Sequence, residues 1–210
     1  AAKQLTTEVR DYYVLRGNKP GIAKQTQNLG VIALLEGRVA EASELLLTAV
    51  SLHEEALTAL PNAFPIRRQL AETHSALGQS FLQLGDFEHA REQYLEALTQ
   101  HSVLGNKEGM ACQFASLAAL AMLSFGEKIV FDDVQYSSPE ELTAKAKEYA
   151  ELENCRPLLA RHWNLLGAIL FARDVTKASA AFQMSHDIYA SINNDAEALV
   201  NEVWIAVCDI

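Results

Sequence analysis

The chain has 210 residues, half of them hydrophobic and 21% charged, with 10 Gly and 5 Pro. That composition supports a packed core and excludes disordered, collagen-like and low-complexity classes. Asp plus Glu outnumber Lys plus Arg by 27 to 17, and the net charge of -10 repels phosphate backbones and anionic lipid, so neither nucleic acid nor a membrane surface is an expected partner.

Three widely spaced cysteines, Cys112, Cys155 and Cys208, make no disulfide framework and no C-x-x-C pair. They read as buried or half-buried thiols of a reducing, cytoplasmic protein. No apolar run approaches the roughly 20 residues that a bilayer span needs. The opening Ala-Ala-Lys lacks a methionine and any leader-like run, which suggests a piece of a longer protein.

An opening helix is predicted over residues 3–15. It ends at Gly17-Asn18-Lys19-Pro20-Gly21, a string that recurs 88 residues later as Gly105-Asn106-Lys107-Glu108-Gly109. The same offset reaches Asn193-Asn194-Asp195, and half of it reaches Pro61-Asn62-Ala63-Phe64-Pro65. Glu153-Asn154-Cys155-Arg156-Pro157 comes slightly late in the series. Asn and Gly suit the left-handed residues that close helices, and Pro suits the first turn of the next. A period near 44 residues follows.

Each period reads as two helices. The first has residues 23–36, a stop at Gly37 and residues 39–60, where Leu45, Ala49, Leu52, Ala56 and Leu60 form a helical stripe. The second runs from Ile66 to Leu84, breaks at Gly85-Asp86 and continues through Gln100. The third starts with a helix from Met110 to Phe125 and a break near Gly126. Its excursion, Lys128 to Ser138, carries Ile129, Val130, Phe131 and Tyr136; it either folds back or forms a contact surface, and folding back is expected. Ser138, Pro139 and Glu141 then suit a capping box. The fourth runs from Pro157 to Ala172 and, past Arg173-Asp174, to Ser191. A final helix is predicted over residues 195–208. No segment shows sustained two-residue alternation, so the chain reads as all-α.

The pattern Leu77-Gly78, Phe81, Gly85-Asp86-Phe87, Ala90, Tyr94 and Ala97 resembles the tetratricopeptide repeat family. Leu29-Gly30, Ala33, Gly37, Ala42, Leu46 and Ala49 repeat it, as do Trp163, Leu166-Gly167, Leu170, Ala178 and Phe182. The third period keeps Leu117-Ala118 and Ala121. The 40-plus period looks most like the longer-period arrays of kinesin light chain-like, polarity-adaptor and bacterial regulator proteins. The resemblance implies a right-handed superhelical solenoid of antiparallel helix pairs, in which small residues let the two helices of a pair cross closely. One array is then expected over 1–210: an opening helix (1–17), repeats at 18–60, 61–104, 105–153 (insertion 128–138) and 154–192, and a capping helix at 193–210.

Residues that carry catalysis in other proteins do not assemble here. His53-Glu54-Glu55 begins like H-E-x-x-H but meets Leu57 at the second ligand position. No phosphate-binding glycine loop and no G-x-S-x-G elbow occurs. Asp132-Asp133 reads as a solvated loop rather than a cation site, and Arg67-Arg68 as a solvated pair rather than an anion site. No enzyme, cofactor or metal is expected.

The resemblance further implies that the first helix of each pair lines a concave groove. The implied rows are Lys24, Gln27, Val31 and Leu34; Glu72, Ser75, Gln79 and Leu82; Cys112, Ala115, Ala119 and Met122; and Arg161, Asn164, Ala168 and Phe171. The second half is shallow and apolar and suits an amphipathic helix, from a partner or from the chain's own flanks; residues 195–208, with Leu199, Val203 and Trp204, are one such candidate, although a terminal cap is their expected role. Val31, Glu72 and Ala115 replace the basic and polar clamp with which some family members hold acidic C-terminal peptides. The implied function is a non-catalytic scaffold or peptide-binding module of a larger signalling or regulatory protein. The alternatives are a self-associating structural module, or a sensor of a small ligand or signalling peptide.

Overall fold

The computed structural model describes residues 2–124 and 128–208. The expected end of a helix at Phe125 and the break at Gly126 lie outside them. Helices dominate: α1 (Ala2–Leu15), α2 (Lys19–Leu35), α3 (Val39–Ala59), α4 (Phe64–Leu84), α5 (Phe87–Val103), α6 (Lys107–Leu123), α7 (Pro139–Leu152), α8 (Arg156–Phe171), α9 (Val175–Ser191) and α10 (Asp195–Cys208). The chain divides into two compact units, Ala1–Gly105 and Asn106–Ile210.

The turns explain where the helices stop. Gly17 and Gly105 both sit at φ 63°, and Asn193 at φ 56°. In this left-handed conformation the chain closes one helix, and glycine adopts it without a Cβ clash. The next residue opens the following helix. The Asn18 side chain accepts from Gly21 N at 3.0 Å, and Asn106 from Gly109 N at 2.9 Å. Asp86 and Asp174 cap α5 and α9 in the same way, through His89 N and Lys177 N. Each cap satisfies a donor that the first helical turn leaves unpaired.

In unit 1, α2 pairs with α3 and α4 with α5. A Cβ added to Gly30 would lie 2.7 Å from Leu46, and one added to Gly78 would lie 2.7 Å from the Tyr94 ring. Ala42 and Ala90, fully buried, are the small residues of the opposite helices. The pairs join through α3 and α4, where Ser80 Oγ donates to the Val39 carbonyl at 3.2 Å. α1 packs on α2, and the Tyr13 ring fills the space left by Gly21.

In unit 2, α6 pairs with α7 and α8 with α9. Gly167 leaves room for the Phe182 ring as Gly78 does for Tyr94. Ser185 Oγ donates to the Ala160 carbonyl at 2.9 Å, and His162 Nδ1 donates to the Thr143 carbonyl at 3.0 Å, tying α8 to α7. α10 lies against α9, where His186 Nδ1 donates to the Ala198 carbonyl at 3.1 Å.

The excursion departs from the all-helical expectation. Ile129–Phe131 and Val134–Tyr136 form a two-stranded antiparallel hairpin with Phe131 opposite Val134. Asp132 and Asp133 make its turn, both at positive φ (51° and 60°), as a type I′ turn requires. The hairpin folds back: Phe114 of α6 meets Phe131 and Tyr136 edge-on at 6.0 and 5.3 Å, and Ile129 and Tyr136 are buried. The capping box at α7 is also shifted. Ser138 accepts from Glu141 N, but the Glu141 carboxylate reaches back to the Ser137 amide, one residue earlier than the usual geometry.

Candidate functional site

The rows implied for the first helices divide by burial. In unit 1, Lys24 of α2 is exposed and Val31 half-buried, whereas Gln27 and Leu34 are buried and offer no free surface. On α4, Glu72 and Gln79 are exposed and Ser75 and Leu82 half-buried. Glu72 also pairs with Arg68 one turn earlier at 3.7 Å. Arg67 is not a free cation, because its guanidinium donates to Gln100 Oε1 at 2.7 Å and to the Pro61 carbonyl. The accessible row of unit 1 is therefore narrower than expected, with Lys24 and Val31 on α2 and Glu72, Ser75, Gln79 and Leu82 on α4.

In unit 2, Ala115 of α6 is buried, and Cys112, Ala119 and Met122 are half-buried. Burial pushes the Cys112 thiol above its ordinary pKa, which disfavours the thiolate a nucleophile needs. Arg161 of α8 is exposed and Ala168 half-buried.

Asn164 and Phe171, the remaining residues of that row, meet α10. Asn164 Nδ2 donates to Asn201 Oδ1 at 2.9 Å, and Asn201 Nδ2 donates to the Glu197 carbonyl at 2.8 Å. Phe171 packs edge-on against Trp204 at 5.7 Å, and Trp204 stacks on Phe182 at 5.6 Å. The fourth row is thus occupied by the chain's own last helix. Trp204 follows the fully buried Asn201 by three residues, so one face of α10 carries both.

Four histidines are buried. His74 shares a hydrogen bond with Gln93 at 2.8 Å, and His162 donates to Thr143. Both ring nitrogens of His53 lack a hydrogen-bond partner. Burial, assisted by nearby His74, lowers its pKa to about 4. Among the described residues no group of three or more His, Cys, Asp or Glu is placed to hold a metal ion, and no helix is long and apolar enough to cross a membrane.

The structure of BtubC (BKLC) from P. vanneervenii superposes with a TM-score of 0.67, covering 99% of this chain and 85% of that one at 18% identity. The fold is tetratricopeptide-like. Two further structures align along nearly the whole chain with low scores. They are the TPR2AB domain of yeast Sti1 in complex with pHSP90 (12% identity, 99% and 98% coverage, TM-score 0.35) and a tetratricopeptide repeat protein from Parabacteroides merdae ATCC 43184 (14% identity, 96% and 99% coverage, TM-score 0.23). No protein-family model and no curated protein matches the chain.

Proposed function

We propose that the chain is a non-catalytic protein–protein interaction module whose α2 and α4 surface holds an extended or helical peptide. The observation that supports this reading is the division of labour on those helices. Gly30 and Gly78 commit one flank of each to its paired helix, while Lys24, Glu72 and Gln79 face outward and contribute nothing to the crossings. Half-buried Val31, Ser75 and Leu82 supply a shallow floor beside them. The mixed charge of Lys24 and Glu72 favours a partner carrying both signs over the purely acidic tail that a basic clamp would hold. A cytoplasmic setting, and a place within a larger signalling or regulatory protein, fit this reading.

Selection of binders from a displayed peptide library against the chain tests the proposal. Selected peptides should bind the Gln79→Arg/Leu82→Glu variant at least tenfold more weakly, with the melting temperature unchanged. Undiminished binding to that variant, or a library that yields no binder, overturns it.

A further inference from the structure

Two of the three cysteines, 43 positions apart in the sequence, meet where α6 and α8 touch inside unit 2. Cys155 is the residue that opens α8, and its side chain makes no capping bond there. Its thiol instead reaches across to α6 and donates to Glu108 Oε1 at 3.9 Å. Cys112 follows Glu108 by one helical turn, so both project from the same face of α6. Both thiols are half-buried, so a small solute can reach them. Burial is the main influence on the Cys112 thiol, but Arg161 of α8, Glu108 and Cys155 all act on it as well, which places the two sulfurs within electrostatic reach of each other. Cys155 leaves the turn formed by Glu153 and Asn154, where Asn154 sits at φ 49°. Its sulfur can therefore approach α6 by adjustment of a turn, without unwinding a helix.

We propose that Cys112 and Cys155 form a reversible oxidation site, which a low-molecular-weight disulfide closes to an intramolecular bridge across the α6–α8 seam. The chemistry is two successive exchanges. Burial opposes ionisation of Cys112, so Cys155 reacts first. Its thiolate attacks one sulfur of the small disulfide; the S–S bond breaks, a mixed disulfide forms on Cys155 and one small thiolate leaves. The Cys112 thiolate then attacks the Cys155 sulfur, and the second small thiolate leaves. Two protein thiols are oxidised, one disulfide is reduced to two thiols, and the protons given up by the cysteines end on the departing thiolates. The bridge closes a loop over residues 112–155, which contains the hairpin and α7, and it fastens the third helix pair to the fourth. Closing that loop restricts the unfolded chain, so the oxidised form resists unfolding and reduction releases it.

This inference does not rest on the peptide-binding row of unit 1, and its test leaves that row intact. The parent chain and the Cys112→Ser, Cys155→Ser and Cys208→Ser variants are equilibrated with glutathione at a series of disulfide-to-thiol ratios, with circular dichroism to verify folding. Acid-quenched samples are weighed by mass spectrometry and their bridged peptides identified. The parent and Cys208→Ser should each lose two hydrogens, with one peptide pair joining Cys112 to Cys155. The other two variants should lose none. The folded parent should close at a ratio about tenfold more reducing than the same chain in concentrated urea, because the fold holds the thiols together. The bridged parent should also unfold at higher urea than the reduced one. A parent that carries only mixed disulfides, a bridge that uses Cys208, or equal closure in the folded and unfolded chain overturns the inference.

Discussion

The Tyr94 ring of α5 occupies the place where a side chain at residue 78 of α4 would begin, 2.7 Å from an added Cβ. Tyr94 is buried, so the ring has little room to withdraw. Ala is worth about 0.5–1 kcal/mol over Gly in a helix interior. Overpacking of this kind costs about 1–3 kcal/mol and outweighs that gain. Gly78→Ala should therefore lower stability by about 1 kcal/mol, measured by urea unfolding. Combining it with Tyr94→Leu should restore part of the loss, a coupling that a double-mutant cycle reads directly.

Acid should destabilise unit 1 through His53. Its folded pKa, about 4, lies below the ordinary value of 6.5, so the unfolded chain takes up a proton that the folded chain refuses. The contribution is fully present above pH 6.5 and is lost as pH falls from there toward 4. At one pKa unit per 1.36 kcal/mol, the loss is on the order of 3 kcal/mol. Burial lowers the pKa of His101 and His162 in the same direction. Urea midpoints at pH 7, 5.5 and 4.5 should fall steadily, and His53→Leu should flatten the trend.

Trp204 should hold α10 in place. Replacing it with Ala removes a stacked contact with Phe182 and an edge contact with Phe171. Full truncation of a buried aromatic costs about 3–5 kcal/mol, and with 40% of Trp204 exposed the expected loss is about 2 kcal/mol. Asn201→Leu tests the same interface differently, leaving the Asn164 amide without its partner at a cost of about 1–3 kcal/mol. Hydrogen exchange should show α10 amides losing protection in both variants while α6 and α7 keep theirs.

Phe114 should govern the hairpin. It is fully buried and touches Phe131, Tyr136 and Tyr149. Phe114→Ala should cost about 3–5 kcal/mol and open the 129–136 segment to limited proteolysis, whereas Val130→Thr on its exposed side should do neither.

The sequence made the helix ends legible because they are chemical: a residue that tolerates positive φ, followed by a side chain that accepts from an amide. The Gly17-Asn18 and Gly105-Asn106 turns carry both signals, and the glycines at 30, 78 and 167 disclosed where helices cross. The hairpin escaped notice because three-residue strands are too short for alternation to register, and Asp132-Asp133 fills a turn more often marked by Asn-Gly. Gln27, Leu34 and Ala115 turned out covered because each residue rotates about 100° around a helix, so a small error in facing direction moves a side chain from rim to interior. The last helix was legible as a cap or as an occupant of the apolar half of the groove, but the contact that seats it was not. Its polar contact uses Asn164 and Asn201, which look like surface residues until they are brought together.

The bracket at Gly17-Asn18, Gly85-Asp86 and Gly105-Asn106, a left-handed residue followed by a capping side chain, is complete within about five residues of chain. Nothing distant is needed to decide where one helix ends and the next begins. On the ribosome, a nascent chain of this kind could set its helix boundaries as they emerge. Folding would then advance pair by pair behind the growing end, without waiting for the last residue to be added.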